Sequence, residues 1–262
     1  MTLSLRRKIY LLLGWMLLIS VPAILLLTHT AMFPLISLNS SQAEGLYWLT
    51  SSGTAPFGVL TVLVLLGLCF RQISKAHFLP LFITVSISMV STLALNQFLK
   101  PYFSEPRPNA QLLHQQQLLN INEFYQLAPA QRKPVINHAV NQFTTDPHNL
   151  QLSPLIASHW RNEVGFAFPS GHTLFAVTLS MVMSYFLLLS GQYLLPSLLC
   201  LWSLGMGFSR MLLGMHWSQD VLASTVIGGL IGLACIWGMN RCWPRLATLI
   251  ATLTNTKPLT TP

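Results

Sequence analysis

The run TLFAVTLSMVMSYFLLL, residues 173–189, holds no Asp, Glu, Lys, Arg or His over 17 positions. As a helix it would rise about 26 Å, close to the roughly 30 Å hydrocarbon core of a bilayer. One such run also fits a buried helix in a large soluble protein. Five more uncharged runs on either side of it, at 9–27, 55–70, 78–99, 193–208 and 221–239, remove that alternative. Six in 262 residues leave too little polar chain to wrap them in a wetted surface. Composition agrees: 52% of residues are hydrophobic and 8% charged, against roughly a quarter charged in soluble domains. The same composition excludes disorder. The expected fold is an all-α integral membrane protein with six transmembrane helices, one membrane domain over residues 1–262. The two 16-residue runs must borrow flanking residues to span. Cys69, Cys200, Cys235 and Cys242 lie in or beside apolar runs without metal-type spacing and read as small hydrophobes.

A net charge of +8 raises the question of a nucleic-acid partner, which the placement of the charges answers. With both termini cytoplasmic, the inner segments carry Arg6, Arg7, Lys8, Arg71, Lys75, Arg241, Arg245 and Lys257, and no acid. The outer segments hold all six acids, Glu44, Glu105, Glu123, Asp146, Glu163 and Asp220, against Lys100, Arg107, Arg132, Lys133, Arg161 and Arg210. Retention of Lys and Arg on the cytoplasmic side therefore accounts for the whole excess, and no nucleic-acid surface is needed. The basic start followed by an apolar run also resembles a secretory signal. At 19 residues, ending in Leu-Leu-Leu-Thr-His-Thr, it is too long and lacks a small-residue cleavage site, so a retained helix is expected.

Residues 100–165 form the only long polar segment, expected outside the cytoplasm with short helices near 109–120 and 123–131. A loop of this length at a membrane surface usually shapes or covers a site.

Around that loop the ionisable residues gather: Lys100 and Arg107 after the third helix, His172 opening the fourth, and Arg210, His216 and Asp220 between the fifth and sixth. The 44 residues from His172 to His216 amount to about two spans and a turn, which returns both histidines to one face. In Pro169-Ser170-Gly171-His172 the proline suits a first helical turn and the glycine lets a ligand approach the backbone. The free amides and the positive end of the helix dipole make an anion site, although Pro-Ser-Gly is also an ordinary helix-start turn. His216 and Asp220 are four apart, so if residues 217–220 already belong to the sixth helix the carboxylate lies on the same face and can orient the imidazole and raise the nucleophilicity of its other nitrogen. Lys100 and Arg210 offer Coulombic stabilisation and Arg107 a two-pronged grip on anionic oxygens. Taken alone, Lys100 and Arg107 also read as interface anchors. His29, His77, His114, His138, His148 and His159 read as interfacial or loop residues. Glu163 either lines the entrance to a site, or positions an amine or water there, or is a solvated loop charge.

These motifs together resemble the type 2 phosphatidic acid phosphatase superfamily, whose signature K-x6-RP, PSGH, SR-x5-H-x3-D is matched at every defined position. Lys100 and Arg107-Pro108, Pro169 to His172, and Ser209-Arg210, His216 and Asp220 occur in the family's order. Glu123-Phe124-Tyr125, Ser158-His159-Trp160, Gly165 to Phe168 and Leu213 to Trp217 extend the likeness toward bacterial members. The resemblance implies that His216 attacks phosphorus, Asp220 orients it, and His172 protonates the leaving oxygen and then activates water. Lys100, Arg107, Ser170, Gly171 and Arg210 would hold the phosphoryl oxygens. It further implies a bacterial inner-membrane enzyme whose site faces the periplasm, acting on a membrane lipid phosphate. Phosphatidylglycerophosphate and undecaprenyl pyrophosphate are the expected substrates, with phosphatidate, lysophosphatidate and diacylglycerol pyrophosphate possible. No cofactor, metal or obligatory protein partner is expected: the site supplies one acid, Asp220, already committed to His216. A lipid-linked phosphotransferase and an anion transporter are the competing readings. Against the transporter, the charges sit at helix ends and not at the midplane.

Overall fold

In the computed structural model, residues 2–254 are described, and Lys257 lies outside them. All regular structure among them is helical: α1 (Leu5–Leu27), α2 (Ser41–Ser51), α3 (Phe57–Gln72), α4 (Lys75–Phe103), α5 (Pro108–Gln115), α6 (Ile121–Gln126), α7 (Pro129–Thr145), α8 (Pro154–Asn162), α9 (Gly171–Leu189), α10 (Leu194–Leu212) and α11 (Ser218–Thr254). Five of these, α1, α4, α9, α10 and α11, are long and apolar enough to cross a membrane, and α3 is a shorter apolar helix of 16 residues.

The apolar runs mark the helix interiors but not their ends. Helix α4 continues past residue 99 to Phe103, α10 past 208 to Leu212, and α11 starts at Ser218 and reaches Thr254. A charge ends an apolar run without ending a helix, since Lys and Arg are good helix formers. Lys100 and Arg210 are therefore helical residues, where the spacing had put them in connections, and Asp220 lies in the first turn of α11, as its pairing with His216 required.

Helix α9 is the axis of the bundle. Of its apolar window 83% is buried inside the protein, against 17% for α1. It packs on α11, α10 and α4. Gly228 and Gly232 let α11 come close: a Cβ on Gly228 would stand 3.1 Å from Leu174 O, and one on Gly232 2.9 Å from Met181 Cβ. Small residues at such contacts let backbones approach where no hydrophobic force between helices exists in lipid.

Apart from the bundle core around α9, which includes Val177, Val182 and Phe186, a second hydrophobic core lies at one end of the bundle and forms a cap. Leu113, Phe124, Ile136, Val140, Phe143, Ile156 and Trp160 from α5 to α8 pack there with Leu38, Ala43 and the α10–α11 turn residues Leu213 and Met215. Trp160 is fully buried and its Nε1 donates to Leu213 O at 2.9 Å. Two helix expectations need correction. The 123–131 segment is broken at Leu127-Ala128, ahead of the proline that opens α7, and the 109–120 helix stops at Gln115. Helix α2, in the polar stretch after α1, had no apolar run to announce it. Its N-cap is Ser40, which accepts from Ala43 N–H.

Candidate active site

The site lies between the two cores, where α4, α9, α10 and α11 end beneath the cap. Helix α9 begins at Gly171, with Ser170 as its N-cap accepting from Thr173 N–H at 3.4 Å. Pro169 thus precedes the cap and is not in the first turn, contrary to expectation. The hydroxyl of Ser170 is fully buried and also pairs with Thr173 Oγ1 at 3.0 Å, so what Ser170 and Gly171 can offer an anion is their position at the helix start, whose first amides lack intrahelical acceptors. A Cβ on Gly171 would lie 3.2 Å from the Asn96 amide nitrogen, so the backbone is approached there by a side chain of α4.

His216 sits in the turn between α10 and α11, its amide donating to Arg210 O at 3.1 Å. Its Nδ1 is 3.3 Å from Asp220 Oδ2. That carboxylate oxygen also accepts from Trp217 N–H at 2.8 Å, which fixes it at the start of α11. Both side chains are buried. Burial, with the Arg210, Arg107 and Lys100 cations, holds the His216 pKa well below the ordinary imidazole range. A neutral imidazole with Nδ1 toward a carboxylate leaves Nε2 as its free nitrogen.

Arg107 caps α5 and is 2% exposed. Its Nε donates to Gly165 O at 2.7 Å, and Lys100 Nζ donates to Phe166 O at 3.1 Å, so both cations are anchored to the segment before PSGH. That segment is itself fixed by Arg132, which donates to Val164 O and Tyr125 O and lies over the Tyr125 and Phe166 rings. Tyr125 Oη in turn accepts from Arg107 N–H at 3.1 Å. Among outer charges Arg132 had no distinguishing mark in the sequence.

Glu163 is not a solvated loop charge; it lines the cavity beside the cations. Its carboxylate bridges two of the cations, with Oε2 2.8 Å from Arg107 Nη1 and Oε1 3.4 Å from Arg210 Nη2. The site therefore contains a second acid, and the argument from a single committed carboxylate is corrected. Burial pushes this carboxyl up, but Arg107 and Arg210 outweigh it and hold the pKa well below the usual carboxylate range. Among the described residues, no three or more His, Cys, Asp or Glu side chains are grouped to hold a metal ion.

A cavity of about 580 Å³ opens from these groups. At one end it is lined by Asn96, Lys100, Arg107, Glu163, His172 and His216. From there it runs between α3 and α4 along Val59, Leu63, Leu66, Phe82, Val85 and Met89. The fully buried Arg210 stands behind the Glu163 carboxylate. Asn96 escaped the sequence reading because it lies within an uncharged run; it is one turn before Lys100 and shares its face.

Residues 81–244 match the PAP2 superfamily. The chain belongs to that superfamily. Among its relatives, phosphatidylglycerophosphatase B of Escherichia coli (strain K12) is 33% identical over 76% of this chain and 77% of its own. Phosphatidylglycerophosphatase B of Haemophilus influenzae is 32% identical over 74% of this chain and 81% of its own. All three PAP2 motifs lie within the matched residues, whereas α1, α2 and α3 precede them.

Proposed function

We propose that the protein is a membrane-embedded hydrolase that removes the terminal phosphate of a lipid whose tails stay in the bilayer. Membership of the PAP2 superfamily and the two phosphatidylglycerophosphatase relatives support phosphatidylglycerophosphate as first substrate, with undecaprenyl pyrophosphate second. The observation that carries the reading is the cavity, cationic at one end and apolar between α3 and α4 for the rest. A water-soluble ester has no use for that apolar length. Keeping a tail in an apolar slot avoids about 0.8 kcal/mol per CH₂ moved into water.

In the proposed reaction the Nε2 lone pair of His216 attacks phosphorus while the bond to the lipid oxygen breaks, and protonated His172 gives that oxygen its proton. Neutral His172 then takes a proton from water as the water oxygen attacks the phosphohistidine, breaking the P–N bond and freeing phosphate. Asp220 balances the imidazole as it becomes cationic. Lys100, Arg107, Arg210 and the α9 amides at Ser170 and Gly171 stabilise the charge spread over the equatorial oxygens, the main work of phosphoryl transfer. Glu163 is the resident counter-ion of Arg107 and Arg210, displaced when the phosphoryl group arrives.

Helix α3, near 24 Å long at 1.5 Å per residue, serves as a sixth span once the flanking turn at 53–56 is counted. The single 1–262 domain then sits in a bacterial inner membrane with termini cytoplasmic and the 100–165 cap and site periplasmic. The test is phosphate release by detergent-purified protein from phosphatidylglycerophosphate, undecaprenyl pyrophosphate, phosphatidate and a soluble phosphate ester. Preference for the lipids supports the reading. Equal turnover of the soluble ester, or phosphate passed to an alcohol acceptor in place of water, overturns it.

A further inference from the structure

Arg210 is held by two residues that no signature motif contains. Its Nη1 donates to Thr50 Oγ1 at 3.0 Å and lies 3.1 Å from His159 Nε2. Thr50 is fully buried on α2, which packs against α10 and α8. His159 is on α8, its ring edge-on to Tyr47 of α2 with centroids 5.5 Å apart. Burial and the Arg210 charge push the His159 pKa down to about 3, so the ring is neutral. With an arginine donor on Nε2, its own proton belongs on Nδ1.

The chemistry of these two acceptors is informative. A carboxylate at either position would cancel the guanidinium charge, whereas a hydroxyl and a neutral imidazole fix its orientation and leave the charge for another anion. The opposite edge carries only an exchangeable partner: Arg210 Nε and Nη2 are buried with no hydrogen-bond partner, and Nη2 is ion-paired at 3.4 Å with Glu163, the counter-ion that an arriving phosphoryl group displaces. That Nε–Nη2 edge is the fork with which arginine takes two oxygens of a phosphate.

We propose that Thr50 and His159 are positioning residues, tying down one end of Arg210 so that its Nε–Nη2 edge is presented to the phosphoryl group. This rests on the reading of Arg210 as a phosphate ligand. It also gives α2 a task in the reaction, although Thr50 lies outside residues 81–244. Helix α2 and the cap helix α8 then set the geometry of an arginine that belongs to a bundle helix.

The test compares His159→Leu with His159→Gln, and Thr50→Val with Thr50→Ser, in the full-length detergent-purified protein. Three quantities are read: orthovanadate affinity by titration, kcat and KM for phosphatidylglycerophosphate, and the melting temperature. The Leu and Val variants are expected to lose about 10- to 100-fold in both kcat and vanadate affinity, the usual cost of removing an outer partner of a ligand. Lipid KM should change less than about threefold, and Gln and Ser, which keep an acceptor, should recover to within about threefold of the parent. Leu and Val variants that bind vanadate as tightly as the parent overturn the proposal, as do Gln and Ser variants no better than Leu and Val. A drop in melting temperature without loss of vanadate affinity assigns a structural role only and also overturns it. A parent protein that binds vanadate but releases phosphate from no lipid refutes the lipid phosphatase reading instead, and the vanadate comparison still decides the role of Thr50 and His159.

Discussion

In the proposed reaction His216 is the nucleophile, and its surroundings keep it neutral with Nδ1 toward Asp220. Replacing it with Ala is expected to abolish turnover, while His172→Ala leaves a slow enzyme, since a lost general acid costs about 10²- to 10⁴-fold. Near-parental turnover by His216→Ala contradicts the account. The pH dependence has a definite sign. Burial and the Arg210, Arg107 and Lys100 cations lower the His216 pKa, so its protonation limits kcat/KM only well below the ordinary value of about 6.5. Arg210→Gln removes part of that depression, and the acid limb of its residual activity should move up toward 6.5; an unmoved limb refutes the electrostatic assignment. Glu163→Gln frees two guanidiniums of their carboxylate, so vanadate should bind about tenfold more tightly, and equal or weaker binding contradicts the counter-ion role. Lys100, Arg107, His172, Arg210, His216 and Asp220 were legible in the sequence because fixed spacings tie them together. His159, Thr50 and Asn96 were not, for each owes its place to a partner remote in the chain: 51 residues separate His159 from Arg210, and 160 separate Thr50 from it.

The contact of α9 with α11 brings the start of α9, with Ser170 and Gly171, to the same end of the bundle as His216 in the turn before α11. Gly232→Ala sets a methyl 2.9 Å from Met181 Cβ on a buried helix, and a loss of about 1–3 kcal/mol is expected in thermal or denaturant unfolding. Gly45→Ala in α2, where an added Cβ meets nothing within 4 Å, should be neutral or stabilising by up to about 1 kcal/mol, so equal losses at both positions contradict the packing argument. Each of the six apolar runs falls on a helix, five of them long and apolar enough to cross a membrane, because a spanning helix needs uncharged sequence in its interior. The ends escaped, since Lys100, Arg210 and Asp220 interrupt hydropathy while extending helices. The cap was only half legible: its length signalled structure, but its core joins residues 38–43 to residues 110–164, and no local periodicity reports that pairing.

Across the whole molecule, seven of the eight acid-free basic residues fall within the described residues. Of these, Arg7 donates from Nη1 to Leu189 O, linking the start of α1 to the end of α9. With that end cytoplasmic, a cysteine at Gln116 should react with a membrane-impermeant maleimide in intact spheroplasts, and one at Ser74 only after lysis. The four native cysteines must first be replaced, since Cys242 is exposed. The opposite labelling overturns the proposed topology. In the proposed reaction side chains and helix amides supply the positive charge around the phosphoryl group, so turnover should survive excess EDTA; loss of activity that Mg²⁺ restores contradicts this. The central claim is the phosphoryl transfer to His216, and it can be caught directly. In His172→Ala the first step is slow and the water-activating step slower, so phosphoenzyme should accumulate from phosphatidylglycerophosphate labelled in its terminal phosphate. Rapid quenching at alkaline pH followed by peptide mass spectrometry is expected to place that label on His216. Label on another residue, or full turnover by His172→Ala with none on the protein, contradicts it.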